Sequence, residues 1–208
     1  MNAIKTAART VRICTASIFV PFGLLSALAS RGQTTDWVLH PPPLFPTNEW
    51  GAVTSDCQIG LRLPKFQYEL GEPIIAFLYL RNIGDKELRC VFTDPSVDYE
   101  VVVKKGDGQR ATYTESWEKA KDQLQPFGSH HEELSPHQQQ TYAKWVKVNE
   151  RYRLDQPGTY TIVVKQHLDL AERDSSSPDK WKPAGRFDAI SNPVTITVVA
   201  PSPTKPEK

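Results

Sequence analysis

Cysteine is scarce in this chain: three residues in 208, at Cys14, Cys57 and Cys90. No G-x-S-x-G elbow, glycine-rich phosphate loop or dinucleotide fingerprint occurs. The usual signals of serine hydrolases and nucleotide-dependent enzymes are therefore missing. No basic stripe marks a nucleic-acid partner, and no acidic tail marks a solvating linker. Internal repeats are also lacking. Long apolar runs are confined to the first thirty residues.

That run has a direction. Met1 to Arg12 carries Lys5, Arg9 and Arg12 with no acid, Ile13 to Ala29 is apolar, and Ala27-Leu28-Ala29 closes it. A basic head, a short greasy middle and small residues at the end describe a secretory signal peptide over residues 1–29, cut before Ser30. The alternative, a retained membrane anchor, is disfavoured because the run is near the lower length limit for spanning and contains Pro21 and Gly23. The expected location is periplasmic or secreted, with no membrane contact after cleavage. The 25 basic residues less these three nearly balance 24 acids, about −2 overall. That balance says little about partners.

Two cysteines remain, Cys57 and Cys90. An oxidising compartment favours joining them as a disulfide. The closed loop of about 33 residues would stabilise the fold by roughly 3–4 kcal/mol in the chain-entropy picture. Two separate buried thiols are the alternative. Either role is structural.

Residues 30–56 read as a proline-rich arm. His40-Pro41-Pro42-Pro43-Leu44-Phe45-Pro46 favours polyproline II and cannot form a ladder strand. Trp37, Phe45 and Trp50 are expected to bury against the domain. A docking peptide for an aromatic groove elsewhere is the competing reading.

Residues 57–200 carry β patterning. Ile59, Leu61 and Leu63 alternate, and Pro64 breaks the run. Ile74, Ala76, Leu78 and Leu80 form one apolar face and Ile75, Phe77 and Tyr79 another, which predicts a central strand. Leu88 to Thr93, Tyr99 to Lys105, Thr141 to Val148, Tyr160 to Val164 and Val194 to Val198 follow. Thr114 to Gln125 departs from this pattern. Trp117, Ala120 and Leu124 at helical spacing, with Thr114 as N-cap, predict a short amphipathic helix. Phe127 to Gln140 reads as loop, as does His167 to Ile190, with Ser175-Ser176-Ser177-Pro178 at its centre. Residues 201–208 read as a disordered tail.

Leu154-Asp155-Gln156-Pro157-Gly158-Thr159-Tyr160 resembles the tyrosine corner of immunoglobulin-like sandwiches, with Leu154, Gly158 and Tyr160 as its marker residues. Tyr68-x-x-Gly71-Glu72-Pro73-Ile74, an apolar strand and Arg81-Asn82-Ile83-Gly84-Asp85-Lys86 are similar to the opening of exported bacterial immunoglobulin-like domains. The same stretch resembles the intracellular proteinase inhibitor domain of bacilli and a small domain beside some secreted metalloproteases. Ser191-Asn192 before a last strand fits the same resemblance. Tyr152-Arg153-Leu154 departs from it, placing Arg where similar domains have an acid. The fold class expected is all-β: an immunoglobulin-like antiparallel β-sandwich of about seven strands with a short helical insertion.

Chemistry is thinly represented. His131-Glu132-Glu133-Leu134-Ser135 lacks the second histidine of a zinc-protease helix, and Pro136 stops any helix there. His130, His131 and His137 remain a loose metal candidate, weaker than a solvated loop. Asp94, Asp98, Glu100, Asp169 and Asp188 near strand ends are the acids a glycosidase would need, at a density expected by chance. Asp169, Glu172 and Asp174 lack the shape of a calcium loop. No cofactor is expected, and the chain reads as non-catalytic. Trp181, Arg186 and Phe187 are residue types that dominate binding hot spots, on a loop expected at one end of the sandwich. Folding of Trp181 and Phe187 over the core or the arm is the structural alternative. The expectation is an exported binding module for an unknown protein or polysaccharide of the cell envelope or exterior. An inhibitor of secreted proteases is the alternative, and a metal-binding or glycan-directed protein ranks below it.

Overall fold

Period-two burial sets the layers. In the computed structural model, residues 49–92, 98–124, 130–177 and 179–201 are described. Residues 1–48 and 202–208 lie outside them. Ten strands are described: β1 (Cys57–Arg62), β2 (Gln67–Glu69), β3 (Ile75–Asn82), β4 (Leu88–Phe92), β5 (Tyr99–Lys105), β6 (His130–Leu134), β7 (Gln139–Lys147), β8 (Gly158–Arg173), β9 (Trp181–Ile190) and β10 (Val194–Val199). Two short helices join them, α1 (Glu115–Ala120) and α2 (Val148–Arg151). The chain is all-β with two sheets.

One sheet has the order β1-β3-β7. The other runs β2-β10-β8-β4-β6, with β5 and β9 also paired to β8. Pro64 ends β1, and the chain changes sheets to form β2, which pairs parallel with β10. The other strand pairs are antiparallel, so the expectation of a wholly antiparallel arrangement needs that correction.

Inward residues of both sheets share one core. Ile59, Leu61, Ala76, Leu78 and Leu80 from the first meet Phe92, Val103, Ile162, Val164, Leu168 and Ile196 from the second. Each large aliphatic buried there contributes about 1.5–3 kcal/mol of gross transfer free energy. The second face of β3 is buried too. Phe77 and Tyr79 lie under Trp50, whose ring lies 3.2 Å from where a Cβ on Gly60 would stand. A side chain at Gly60 would lift that indole, so the glycine admits the arm's tryptophan. This gives Trp50 the buried place expected for it. Trp37 and Phe45 lie outside the described residues.

Sixteen residues make β8 the longest strand described. Its first half lies between β5 and β10, its second between β4 and β9. The stretch from His167 to Ile190, expected to be an irregular loop, is thus mostly the arms of a β-hairpin. Leu168 and Leu170 point inward in alternation with Asp169 and Ala171, a period carried past the charged residues. Phe127 to Gln140 is corrected likewise, since its second half forms β6 against β4. Ser191 to Pro193 then separate β9 from β10. Ser191 Oγ accepts from the Val164 amide at 2.9 Å, while Asn192 Oδ1 accepts from the Leu61 amide of the opposite sheet at 2.8 Å.

The insertion between β5 and β6, together with α2 and the residue after it, seals an edge. Thr114 caps α1 by accepting from the Trp117 amide. None of the α1 side chains is fully buried, so this helix adds little to the core. Its surroundings instead satisfy the free carbonyls of β5. Tyr152 Oη donates to Val101 at 2.6 Å, the Ala111 amide to Val103 at 2.8 Å, and Arg151 Nη1 to Tyr99 at 3.4 Å. An open strand edge is an aggregation hazard, and this one is covered.

Candidate functional site

Register along the hairpin decides what the expected hot-spot residues present. Trp181 pairs with Arg173, Arg186 with Asp169, and Phe187 with Leu168. Leu168 is buried in the core, so Phe187 faces inward, where it packs on the core and its ring takes the space a Cβ on Gly185 would need. Trp181 and Arg186 stand on the outer face. The three residues grouped from sequence therefore divide between two faces, because side chains alternate along a strand.

Trp181 belongs to neither apolar cluster. The Arg89 guanidinium lies 4.2 Å from its ring centre and that of Arg173 4.7 Å. Arg89 is paired with Glu133 at 2.5 Å, and Arg173 with Glu87 at 2.5 Å and Glu133 at 3.6 Å. The result is a balanced ladder across β6, β4 and β8, capped by an indole from β9. Arg89 and Arg173 carried no signal of their own in the sequence. The alternation of Arg89 with Leu88 and Cys90 in β4 was visible, but no such pattern marked Arg173, and which strands adjoin was not visible either.

Beyond the ladder, Arg186 is held to Asp169 only at 3.8 Å, with 69% of its side chain exposed. His167 Nδ1 lies 2.5 Å from Asp188 Oδ1 directly across the hairpin. At the turn, Asp174 accepts from Ser176 N at 2.9 Å, Ser176 Oγ at 2.7 Å and Lys182 Nζ at 2.8 Å. The Lys182 ammonium and the Ser176 donors hold its carboxyl down at about 2.

The remaining candidates fall in separate places. Cys57 and Cys90 are both fully buried and stand as free thiols in contact. The hydrogen bond to Cys57, then burial, pushes the Cys90 thiol far up. His131 is exposed on β6. His137 lies in the following turn, 3.0 Å from Asp85. Among the described residues, no three His, Cys, Asp or Glu side chains converge to hold a metal. Of the strand-end acids, Glu100 pairs with Arg110 at 3.0 Å and Lys165 at 3.5 Å. Asp169 and Asp188 are engaged as well, with Arg186 and His167 across the hairpin. Asp98 is buried, and Asp94 lies outside the described residues.

Tyr160 Oη donates to the Gln156 carbonyl at 2.9 Å, tying the start of β8 to the turn before it. Leu154, just before that turn, is buried in the core, and Gly158 is extended.

Comparison with known proteins adds little. No family model and no curated protein matches the chain. A Northeast Structural Genomics Consortium target is similar at 10% identity and a TM-score of 0.34, over 76% of this chain and 96% of that one. AvmM, described as catalysing macrocyclization in alchivemycin A biosynthesis, is similar at 12% identity and a TM-score of 0.29, over 74% and 94%. Likenesses this weak carry no argument about fold or activity.

Proposed function

We propose that the chain is an exported, non-catalytic immunoglobulin-like module that binds a protein or polysaccharide of the cell envelope or exterior. In this reading the outer face around Trp181 and Arg186 makes the contact. Strand order supports the fold: β1-β3-β7 follows the A-B-E order of such sandwiches and β10-β8-β4 the G-F-C order. The Tyr160 hydroxyl bond falls at the start of the strand equivalent to F. Export rests on the basic and apolar pattern of residues 1–29.

The observation that carries the binding reading is the position of Trp181. An indole fixed over ion-paired arginines on a sheet face, outside both apolar clusters, is a rigid amphipathic anchor of the kind that dominates interfaces. The test compares the intact chain with Trp181→Ala and Arg186→Glu against envelope proteins and polysaccharides of the source cell. A partner retained by the intact chain and lost by both variants is expected. Retention by both variants would remove this face from the reading. Slowing of subtilisin- or trypsin-like proteases would move the assignment to an inhibitor.

A further inference from the structure

A groove of about 320 Å³ opens where β1 gives way to β2 beside the start of β10. Leu63, Pro64, Phe66, Pro193 and Val194 give it apolar walls. Phe66 is 65% exposed, a large apolar surface to leave in water. The other exposed large hydrophobics among the described residues are Val53 and Ile190. All three lie where the arm joins the domain. Val53 belongs to that junction, the Ile190 carbonyl abuts Gly51, and Phe66 shares the groove with Glu49.

The arm is pinned at this point. Trp50 is buried with Phe77 and Tyr79, and the Arg81 guanidinium lies 4.3 Å from its ring centre. The Gly51 amide donates to the Ile59 carbonyl at 2.9 Å. A Cβ on Gly51 would stand 1.8 Å from the Ile190 carbonyl oxygen, so only glycine lets the backbone pass so close. Glu49, the first described residue, itself lines the groove. The chain before it is therefore attached at a residue of the groove wall.

We propose that the arm's own segment Pro43-Leu44-Phe45-Pro46 seats in this groove, with Phe45 against Phe66. Phe45 lies four positions before Glu49, a reach of roughly 12 Å at the polyproline II rise. Prolines pre-set that conformation, so ordering it costs little entropy, and aromatic-lined grooves accept such segments. Residues 41 to 46 carry no charge, so they bring no ion of their own to be desolvated in a groove that Glu49 and Arg62 also line. The C-terminal residues, with Lys205, Glu207 and Lys208, do not meet that condition. Attachment at Trp50 holds the segment at an effective concentration in the millimolar range.

The experiment uses the mature chain, isotope-labelled for NMR. Nuclear Overhauser contacts from the Phe45 ring to Phe66 or Val194 are expected. Phe45→Ala should shift the amides of Leu63, Phe66, Val194 and Thr195, unchanged on twentyfold dilution. Absent contacts and unmoved amides overturn the proposal. Contacts that fade on dilution also overturn it, placing a second copy's arm in the groove. A thermodynamic cycle gives an independent reading. Phe45→Ala should lower the folding equilibrium constant roughly threefold to tenfold, and leave it unchanged in a Phe66→Ala background. Equal losses in both backgrounds overturn the pairing.

Discussion

The Tyr160 hydroxyl reaches back four residues to the Gln156 carbonyl at 2.9 Å, across the Pro157-Gly158 turn. Burial and the nearby Asp155 raise the phenol's pKa, so the donor stays protonated through the neutral range. Tyr160→Phe keeps the ring in the core and removes only this bond. A loss of about 1 kcal/mol is expected, read as a lower urea midpoint at unchanged slope. An unmoved midpoint would mean the bond does not pin the turn.

Asn82 closes β3 with more hydrogen bonds than its turn-like sequence context suggests. Its Nδ2 donates to the carbonyls of Lys86 at 2.7 Å and of Leu134 and Ser135 at 3.2 Å, and its Oδ1 accepts from Gly84 at 3.0 Å. The side chain is 1% exposed. Asn82→Leu removes these donations and the acceptor for Gly84, leaving the Ser135 carbonyl only the Gln138 amide at 3.1 Å, at a cost of about 2–3 kcal/mol. Asn82→Asp should cost more, since an anion would face the same oxygens. Chemical denaturation of the two variants checks both the size and the order.

Much of this was legible in advance, for reasons that differ by element. The two-sided apolar pattern of Ile75 to Leu80 marked β3 as central, and the structure flanks it with β1 and β7. Thr114 before an amphipathic run marked the cap of α1. The β8–β9 hairpin was hidden because charges and a serine-rich turn obscured the alternation of Leu168 and Leu170. β6 was hidden because among its five residues only Leu134 is an apolar inward residue. The stacking of Arg89 and Arg173 on Trp181 depends on which strands adjoin, and no local pattern encodes that.

Cys57 and Cys90 are in contact inside the core, on β1 and β4 of opposite sheets. Their burial and the raised Cys90 pKa predict thiols inert to disulfide reagents at pH 8 while the chain stays folded. Refolding under oxidising conditions should instead join them, with loss of two hydrogens by mass and a gain of roughly 3–4 kcal/mol. A reduced mass after oxidative refolding would assign them as two packed thiols.

Asp174 ties the hairpin turn to pH. Its carboxyl titrates at about 2 when folded, against 3.8 for the ordinary side chain, because Lys182 and Ser176 hold the anion. The unfolded chain therefore takes up this proton first as the solution is acidified. The stabilisation is complete above the ordinary value and is lost as pH falls through the folded one. Protection of the Ser176, Ser177 and Lys180 amides, measured relative to the intrinsic exchange rate at each pH, should fall between about pH 4 and pH 2. Asp174→Asn should flatten that response, and a folded pKa above 3.8 would contradict the geometry.

Salt separates the two attractions in the Trp181 ladder. Arg89 touches the indole, centred 4.2 Å away, and pairs with Glu133 at 2.5 Å. The ion pair is partly exposed, so its contribution should shrink toward zero as salt shortens the screening length to about 3 Å near 1 M. The indole contact also carries packing, which salt does not screen. Crossing Trp181→Ala with Arg89→Ala should give a coupling of about 0.5–1 kcal/mol that persists in 1 M salt. Crossing Glu133→Ala with Arg89→Ala should give a coupling that disappears there. If both fade together, the tryptophan acts only by shielding the ion pair from water, and Trp181→Ala would weaken Arg89–Glu133 without any direct energy of its own.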